Sequence, residues 1–185
     1  MAAVETSQIP LGFNAPDFSL PDTVSGKQMT LQELKGAKAT VIMFICNHCP
    51  YVKHVNKELV RLAHDYANKG VSFIAINSND ISRYPDDAPD KMKETAKLEA
   101  YPFPYLFDAD QTIAKAYYAE CTPDFSIFDG KLQCIYRGRL DASRPGSNIP
   151  VSGEDIRKVL DAVIEGGIIS DIQYPSIGCS IKWKT

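Results

Sequence analysis

The chain predicts an α/β fold, a central mixed β-sheet flanked by helices, and three observations carry that prediction. Residues 39–45, A-T-V-I-M-F-I, are β-rich and apolar on both faces, as a central strand covered by helices should be. A long amphipathic pattern follows, with Val52, Val55, Leu59, Leu62, Ala63 and Tyr66 at helical spacing until Gly70 stops it, and then a second β-rich run, V-S-F-I-A-I, at residues 71–76. Strand, helix and strand in that order predict a right-handed crossover between parallel strands. Further on, Phe125 to Phe128, a turn at Asp129-Gly130 and Leu132 to Arg137 read as an antiparallel hairpin, which makes the sheet mixed.

The remaining elements follow in order. Residues 11–36 are rich in turn formers, and Phe18 and Leu20 alternate with polar neighbours, so a short N-terminal hairpin should precede the core strand. Thr30 and Glu33 have the capping-box spacing, in which each side chain satisfies a free amide at a helix start; a short helix ending near Gly36 fits. After the crossover, residues 82–100 begin with turn formers and continue as a charged surface helix, with Pro89 in its first turn. Phe103 to Phe107 is a candidate short strand, and Gln111 to Tyr118 a helix. Ser152 introduces a last helix whose Ile156, Val159, Leu160, Val163 and Ile164 form one apolar face, ended by Gly166-Gly167. The tail, residues 166–185, is apolar enough to dock on the body but has no regular period. At 185 residues and 44% apolar, the chain reads as one domain over its whole length, 1–185.

Charge excludes some partners. Lys and Arg number 20 against 23 acidic residues, a net −3, so nothing points to nucleic acid or to an anionic membrane surface. The N-terminal M-A-A-V-E-T-S-Q-I-P lacks a basic segment followed by an apolar one, and the longest apolar run is too short to cross a bilayer; a cytoplasmic location is the expectation. Five cysteines at irregular spacing argue against a secreted disulfide framework. They leave one close pair, Cys46-Asn47-His48-Cys49-Pro50, between the core strand and the long helix.

That pair suggests thiol–disulfide chemistry. The thiolate is the nucleophile in exchange, and the positive end of a helix lowers a thiol pKa from about 8.5 toward 7 or below. On this reading Cys46 is the more acidic and attacks, Cys49 resolves the mixed disulfide, and the imidazole of His48 stabilises the thiolate. Metal is the other reading of the pair, with His48, His54 or Cys121 as further ligands; no second close Cys or His pair follows, so the expectation is no metal. His54 and His64 read as surface or packing residues and Cys134 as a small buried hydrophobe. No organic cofactor is required.

Several strings together resemble a thioredoxin-fold protein of the redoxin (AhpC/TSA) superfamily, in particular peroxiredoxin-like proteins that carry Cys-x-x-Cys. They are A-P-D-F-S-L-P-D from Ala15, C-N-H-C-P from Cys46, C-T-P-D-F-S-I-F-D-G-K from Cys121, Y-R-G-R-L-D from Tyr136 and G-C-S-I-K-W-K from Gly178. The resemblance implies a thioredoxin-like fold with an N-terminal hairpin extension. It places Thr122-Pro123 opposite the redox pair, with the proline cis and the Thr122 backbone free to receive an extended substrate by strand addition. It also puts Cys121 near the pair and leaves the place of Cys179 open; either could be a further redox thiol or simply pack. Arg137 and Arg139 read as surface or salt-bridge residues.

Where the resemblance fails it is informative. The peroxiredoxin pattern Pro-x-x-x-Thr/Ser-x-x-Cys would make Cys49 the peroxide-attacking residue, but Ile42 stands at the Pro position and Cys46 at the Thr/Ser position. The active-site Arg expected before F-S-I-F-D is replaced by Cys121-Thr122-Pro123. Two transition-state donors are therefore missing. The expected activity is thiol–disulfide exchange by Cys46 and Cys49, with Asn47, His48 and Pro50 supporting and with protein or small thiols of the thioredoxin or glutathione system as partners. A peroxidase working through Cys49, with peroxide as substrate, and a metal-binding or interaction module are the alternatives. A monomer or a homodimer is compatible with all three.

Overall fold

The structure, a computed structural model, describes residues 3–185. Its centre is a five-stranded sheet in the order β6-β5-β4-β8-β9, formed by β4 (Ala39–Phe44), β5 (Val71–Asn77), β6 (Tyr105–Phe107), β8 (Asp124–Asp129) and β9 (Cys134–Gly138). Strands β4, β5 and β6 run parallel, whereas β8 is antiparallel to both β4 and β9, so the sheet is mixed as expected. The crossover helix α2 (Pro50–Tyr66) joins β4 to β5.

Strand β4 is buried along its entire length and its alternation divides the core in two. Val41, Met43 and Ile45 face one layer with Val52, Val55, Leu59 and Leu62 of α2 and with Ile156 and Leu160 of α5 (Glu154–Glu165). Ile42 and Phe44 face the other, with Phe18, Leu20 and Leu31 of the N-terminal segment and with Ala114 of α4 (Thr112–Ala116) and Tyr117. Each fully buried Leu, Ile or Phe contributes about 1.5–3 kcal/mol relative to exposure. A one-residue slip of β4 would exchange the two sets. Its register with β5, Val41 opposite Phe73 and Met43 opposite Ala75, is thereby specified.

The N-terminal hairpin pairs β2 (Ser19–Pro21) with β3 (Gln28–Thr30), and Thr30 and Glu33 form the capping box of α1 (Leu31–Leu34). Gly70, at φ +77°, makes the left-handed turn between α2 and β5. Helix α3 (Pro89–Leu98) is less superficial than its charge predicts, since Met92 and Ala96 are buried in the core. Helix α5 starts differently from the expectation. Gly153, in the left-handed region, is the N-cap residue, and the carboxylate of Asp141 accepts the amides of Ser152 (2.8 Å) and Gly153 (2.7 Å). A remote acid thus fixes the turn before the helix, and the helix itself has no side-chain cap.

A second, three-stranded sheet was not readable in the sequence. Strand β10 (Ile177–Ser180) lies between β1 (Ala3–Glu5) and β7 (Cys121–Thr122), antiparallel to both. The aperiodic tail is therefore fixed to the body by strand pairing. Among the described residues, no helix is long and apolar enough to cross a membrane.

Candidate redox site

The site lies where β4 stops and α2 begins. Ile45 still bonds to the β5 carbonyl of Ile76 (3.0 Å), and the chain then leaves the sheet through Cys46, Asn47 and His48. Cys49 is the N-cap residue of α2, and Pro50 occupies the first helical position, where its missing amide costs nothing. Both sulfurs are reduced and both residues are buried.

Thr122 forms the facing wall. Its Oγ1 lies 3.2 Å from Cys46 Sγ, and its carbonyl oxygen lies 3.2 Å from Cys49 Sγ, to which that thiol donates when protonated. The Thr122–Pro123 bond is cis, as the resemblance implies. The backbone of Thr122 is not free, however. Cys179 of β10 pairs with it, and Gly178 passes so close that a Cβ there would sit 1.9 Å from the Thr122 oxygen. The chain's own tail occupies the edge expected to receive a substrate.

The electrostatics reverse the expected order of acidity. Cys49 is lowered to about 5, chiefly by the hydrogen bond from the Cys46 thiol; burial opposes this, and the Cys179 thiol and the Val52 amide reinforce it. Cys46 is held well above the usual thiol range by the proton it shares with Cys49, by burial and by the carboxylate of Asp87. The cause is position. The helix begins after Cys49 rather than at Cys46, so the second cysteine meets the free amides of the first turn while the first meets a carboxylate.

Asp87 is the functional-site residue that sequence reasoning missed. It is fully buried, accepts the Asn47 amide (2.7 Å) and the Asn79 side-chain amide (2.7 Å), and lies 2.7 Å from His48 Nδ1. Burial pushes its carboxyl up, but His48, Asn79 and the Asn47 amide outweigh that and the net shift is downward. His48 is shifted upward, first by Asp87 and against the effect of burial. The contact becomes an ion pair when the imidazole is protonated, and His48 Nε2 is buried with no protein partner. The His48 ring stacks on Tyr84, centroids 5.6 Å apart. Asn47 is held by Tyr105, whose hydroxyl donates to its Oδ1 (3.0 Å), and by the Asp86 carbonyl, to which its own amide donates (2.8 Å). Asp86, Asp87 and Pro89 sit in a turn-rich stretch that carries no periodic signal of burial, which is why composition pointed to surface.

Cys46 Sγ, a His48 nitrogen and an Asp87 oxygen lie within 4.8 Å of one another, the only such group of three among the described residues. They are plausible metal donors by type. Both Asp87 oxygens are already engaged by Asn47, Asn79 and His48, whereas His48 Nε2 has no protein partner.

The other cysteines separate cleanly. Cys179 shares the core layer of Cys46 and Cys49, and burial pushes its thiol up to about 12. The Cys121 thiol donates to the Pro123 carbonyl (3.7 Å) and is shifted upward by burial and by Asp124. Cys134 is a buried hydrophobe in the opposite layer. His54 sits against the Ser143 hydroxyl (2.8 Å). Arg137 is buried rather than superficial. It pairs with Asp124 (3.3 Å) and donates to the carbonyls of Ser7 (2.7 Å) and Tyr118, while Arg139 pairs with Asp155 (2.7 Å).

A family model described as the AhpC/TSA family matches residues 11–137, more than half of the chain. The chain belongs to this family. Within it, the protein is similar to the solved structure of an uncharacterized conserved protein from Geobacillus kaustophilus, with 60% identity and a TM-score of 0.97 over 100% of this chain and 97% of that one. A hypothetical protein from Sinorhizobium meliloti is 42% identical, with a TM-score of 0.95 and 98% of each chain covered. A putative thioredoxin from Neisseria meningitidis, 24% identical with a TM-score of 0.63 over 82% of this chain and 89% of that one, shows the thioredoxin fold. No curated protein matches the chain. This protein is thus a thioredoxin-fold redoxin.

Proposed function

We propose that this redoxin is a thiol–disulfide oxidoreductase with Cys46 and Cys49 as its redox pair. The observation that carries the reading is geometric: the two cysteines, two residues apart at the start of α2, both meet Thr122, Cys46 Sγ at 3.2 Å from its Oγ1 and Cys49 Sγ at 3.2 Å from its carbonyl oxygen, and Cys49 is the one shifted toward the thiolate. The fold supports it, since a secreted disulfide oxidoreductase from Mycobacterium tuberculosis has the same architecture at 19% identity, with a TM-score of 0.58 over 78% of this chain and 95% of that one.

In this reaction the Cys49 thiolate attacks one sulfur of a substrate disulfide. A Cys49–substrate bond forms, the substrate S–S bond breaks, and the departing thiolate takes up a proton. Cys46 then gives up its proton and attacks Cys49 Sγ, which closes the Cys46–Cys49 disulfide and releases the second substrate thiol. Two electrons pass to the substrate, and a thioredoxin or glutathione system restores the dithiol. His48, paired with Asp87 and close to Cys46 Sγ, is the proton carrier at hand. Both cysteines are almost inaccessible, 2% and 0% exposed, so a disulfide reaches them when the half-buried Asn47–His48 loop yields. A narrow groove beside Pro123, walled by Tyr51, Val55, Leu140 and Ile177, leads along α2 and is the place for the rest of the substrate.

Titration of the reduced protein against glutathione buffers tests the reading. A two-electron dithiol–disulfide transition is expected, lost in Cys46→Ser and in Cys49→Ser. A protein that goes from free thiols to glutathione adducts without an internal disulfide would falsify it. The Cys49 thiolate also favours one alternative, a peroxidase in which Cys49 becomes a sulfenic acid and Cys46 condenses with it. Fast peroxide consumption that survives Cys46→Ser but not Cys49→Ser would select that reading.

A further inference from the structure

Two segments distant in sequence, the Cys46–Cys49 loop and β10, bring sulfur to one point beside Thr122, and the register of the small sheet says which sulfurs. Residues paired across antiparallel strands project to the same face, with Cβ atoms about 4.5–5.5 Å apart, and successive residues alternate. Cys179 pairs with Thr122, and Ser180 with Cys121. The Thr122 side chain faces the redox pair, because its Oγ1 touches Cys46 Sγ at 3.2 Å. Cys179 therefore projects to the redox face, and Cys121 to the other. The packing agrees independently: Cys179 lies in one buried layer with Cys46 and Cys49, and Cys121 does not.

The backbone adds a second argument. Strand β10 runs along Thr122 as an added substrate strand would, and Gly178 permits that approach. The carbonyl beside Cys179 in this pairing is the one that touches Cys49 Sγ at 3.2 Å. A cysteine is thus held where the sulfur of a docked peptide would lie.

We propose that Cys179 is a third redox thiol of the centre, forming a disulfide with Cys49 that alternates with the Cys46–Cys49 bond. This rests on the exchange chemistry proposed above. Starting from a mixed disulfide between Cys49 and a substrate thiol, Cys179 loses its proton and its sulfur bonds to Cys49 Sγ. The substrate sulfur leaves as a thiolate and is protonated. Starting instead from the Cys46–Cys49 disulfide, the same attack releases the Cys46 thiolate, with no net change in oxidation. Cys49 is common to both bonds, and the two states leave different thiols free: Cys179 in one, Cys46 in the other. The raised pKa of Cys179 keeps it protonated in the resting dithiol.

The test uses the full-length reduced protein, glutathione disulfide as oxidant, acid quenching, alkylation of the remaining thiols and peptide mapping without reduction. Wild type should yield the Cys46–Cys49 link. Cys46→Ala should lose a pair of free thiols and yield the Cys49–Cys179 link, whereas Cys46→Ala/Cys179→Ala should stop at a glutathione adduct on Cys49. Cys46→Ser provides a second background if the alanine variant folds poorly, and Cys134→Ala should leave the wild-type map unchanged. If wild type forms its link but both Cys46 variants stop at the adduct, the role of Cys179 is overturned and the redox pair stands. If wild type forms no internal disulfide, both readings are overturned.

Discussion

The redox centre has two walls of different origin. One is local: the end of β4, the Cys46–Cys49 loop and the first turn of α2 follow one another in the chain, and they deliver the sulfurs to a helix start. The other is assembled from Asp87, Thr122 and Cys179, which only the tertiary fold brings together. The local wall supplies the nucleophile. The remote wall decides which sulfur carries the charge, because a carboxylate stands by Cys46 while donors gather at Cys49.

Breaking the local wall should have the largest effect. Cys49→Ser removes the residue that holds the thiolate and that both proposed disulfides share, so glutathione-coupled exchange should fall to background. Stopped assays of disulfide reduction measure this directly. Exchange at near wild-type rate in that variant would move the nucleophile to Cys46 and return the centre to the order that the sequence alone suggests.

Next in size is the remote wall's buried ion pair. Asp87→Ala leaves the Asn47 amide, the Asn79 side chain and His48 without their shared acceptor, and breaking a buried pair from one side costs about 3–5 kcal/mol. Urea unfolding gives the value. The more conservative Asp87→Asn keeps the shape and removes the charge, so the His48 titration, followed by NMR, should fall from its raised position and Cys46 should become more acidic. A variant that loses no stability and moves neither group would show that the two walls are energetically separate.

A third comparison uses pH on the reduced protein. Cys49 is lowered from 9.0 to about 5 in the folded state, so between those values the unfolded chain holds a proton that the folded one does not. Stability from this group is therefore complete above the unfolded value, and is lost as pH falls through about 5. His48, shifted upward, has the opposite sign: its contribution is complete below its unfolded value and is lost as pH rises through the folded one. The difference between wild type and Cys49→Ser isolates the thiol. That difference should grow from pH 5 toward pH 9, and a flat difference would deny Cys49 the thiolate.

The same division explains what was legible in the sequence. Strand β4, helix α2 and strand β5 announce themselves through period and composition, and the Cys pair is placed by its neighbours, so the fold class and one wall could be read directly. Strands β1, β7 and β10 are two to four residues long, too short to display an alternation, and they exist because they pair with one another. Asp87 lies in a proline- and acid-rich turn where burial leaves no pattern. The direction of the two thiol shifts departs from the sequence expectation for a related reason. It depends on where α2 begins, and Pro50 at the first helical position starts the helix after Cys49 rather than at Cys46.

The smallest effect should come from Thr122→Val, which keeps the branched shape in β7 and removes only the hydroxyl beside Cys46 Sγ. Losing that hydrogen bond costs about 0.5–1.5 kcal/mol. The Thr122 hydroxyl lowers the pKa of Cys46, so its loss makes Cys46 still harder to ionise and slows its attack on a Cys49 mixed disulfide by about 3–10-fold. The first step belongs to Cys49, whose contact with Thr122 is through the backbone and survives the substitution. Rapid-quench measurement should therefore show adduct formation at the wild-type rate followed by delayed closure. Slowing of both steps by the same factor would mean that Thr122 acts through the position of β7 and β10, and would join the two walls into one mechanical unit.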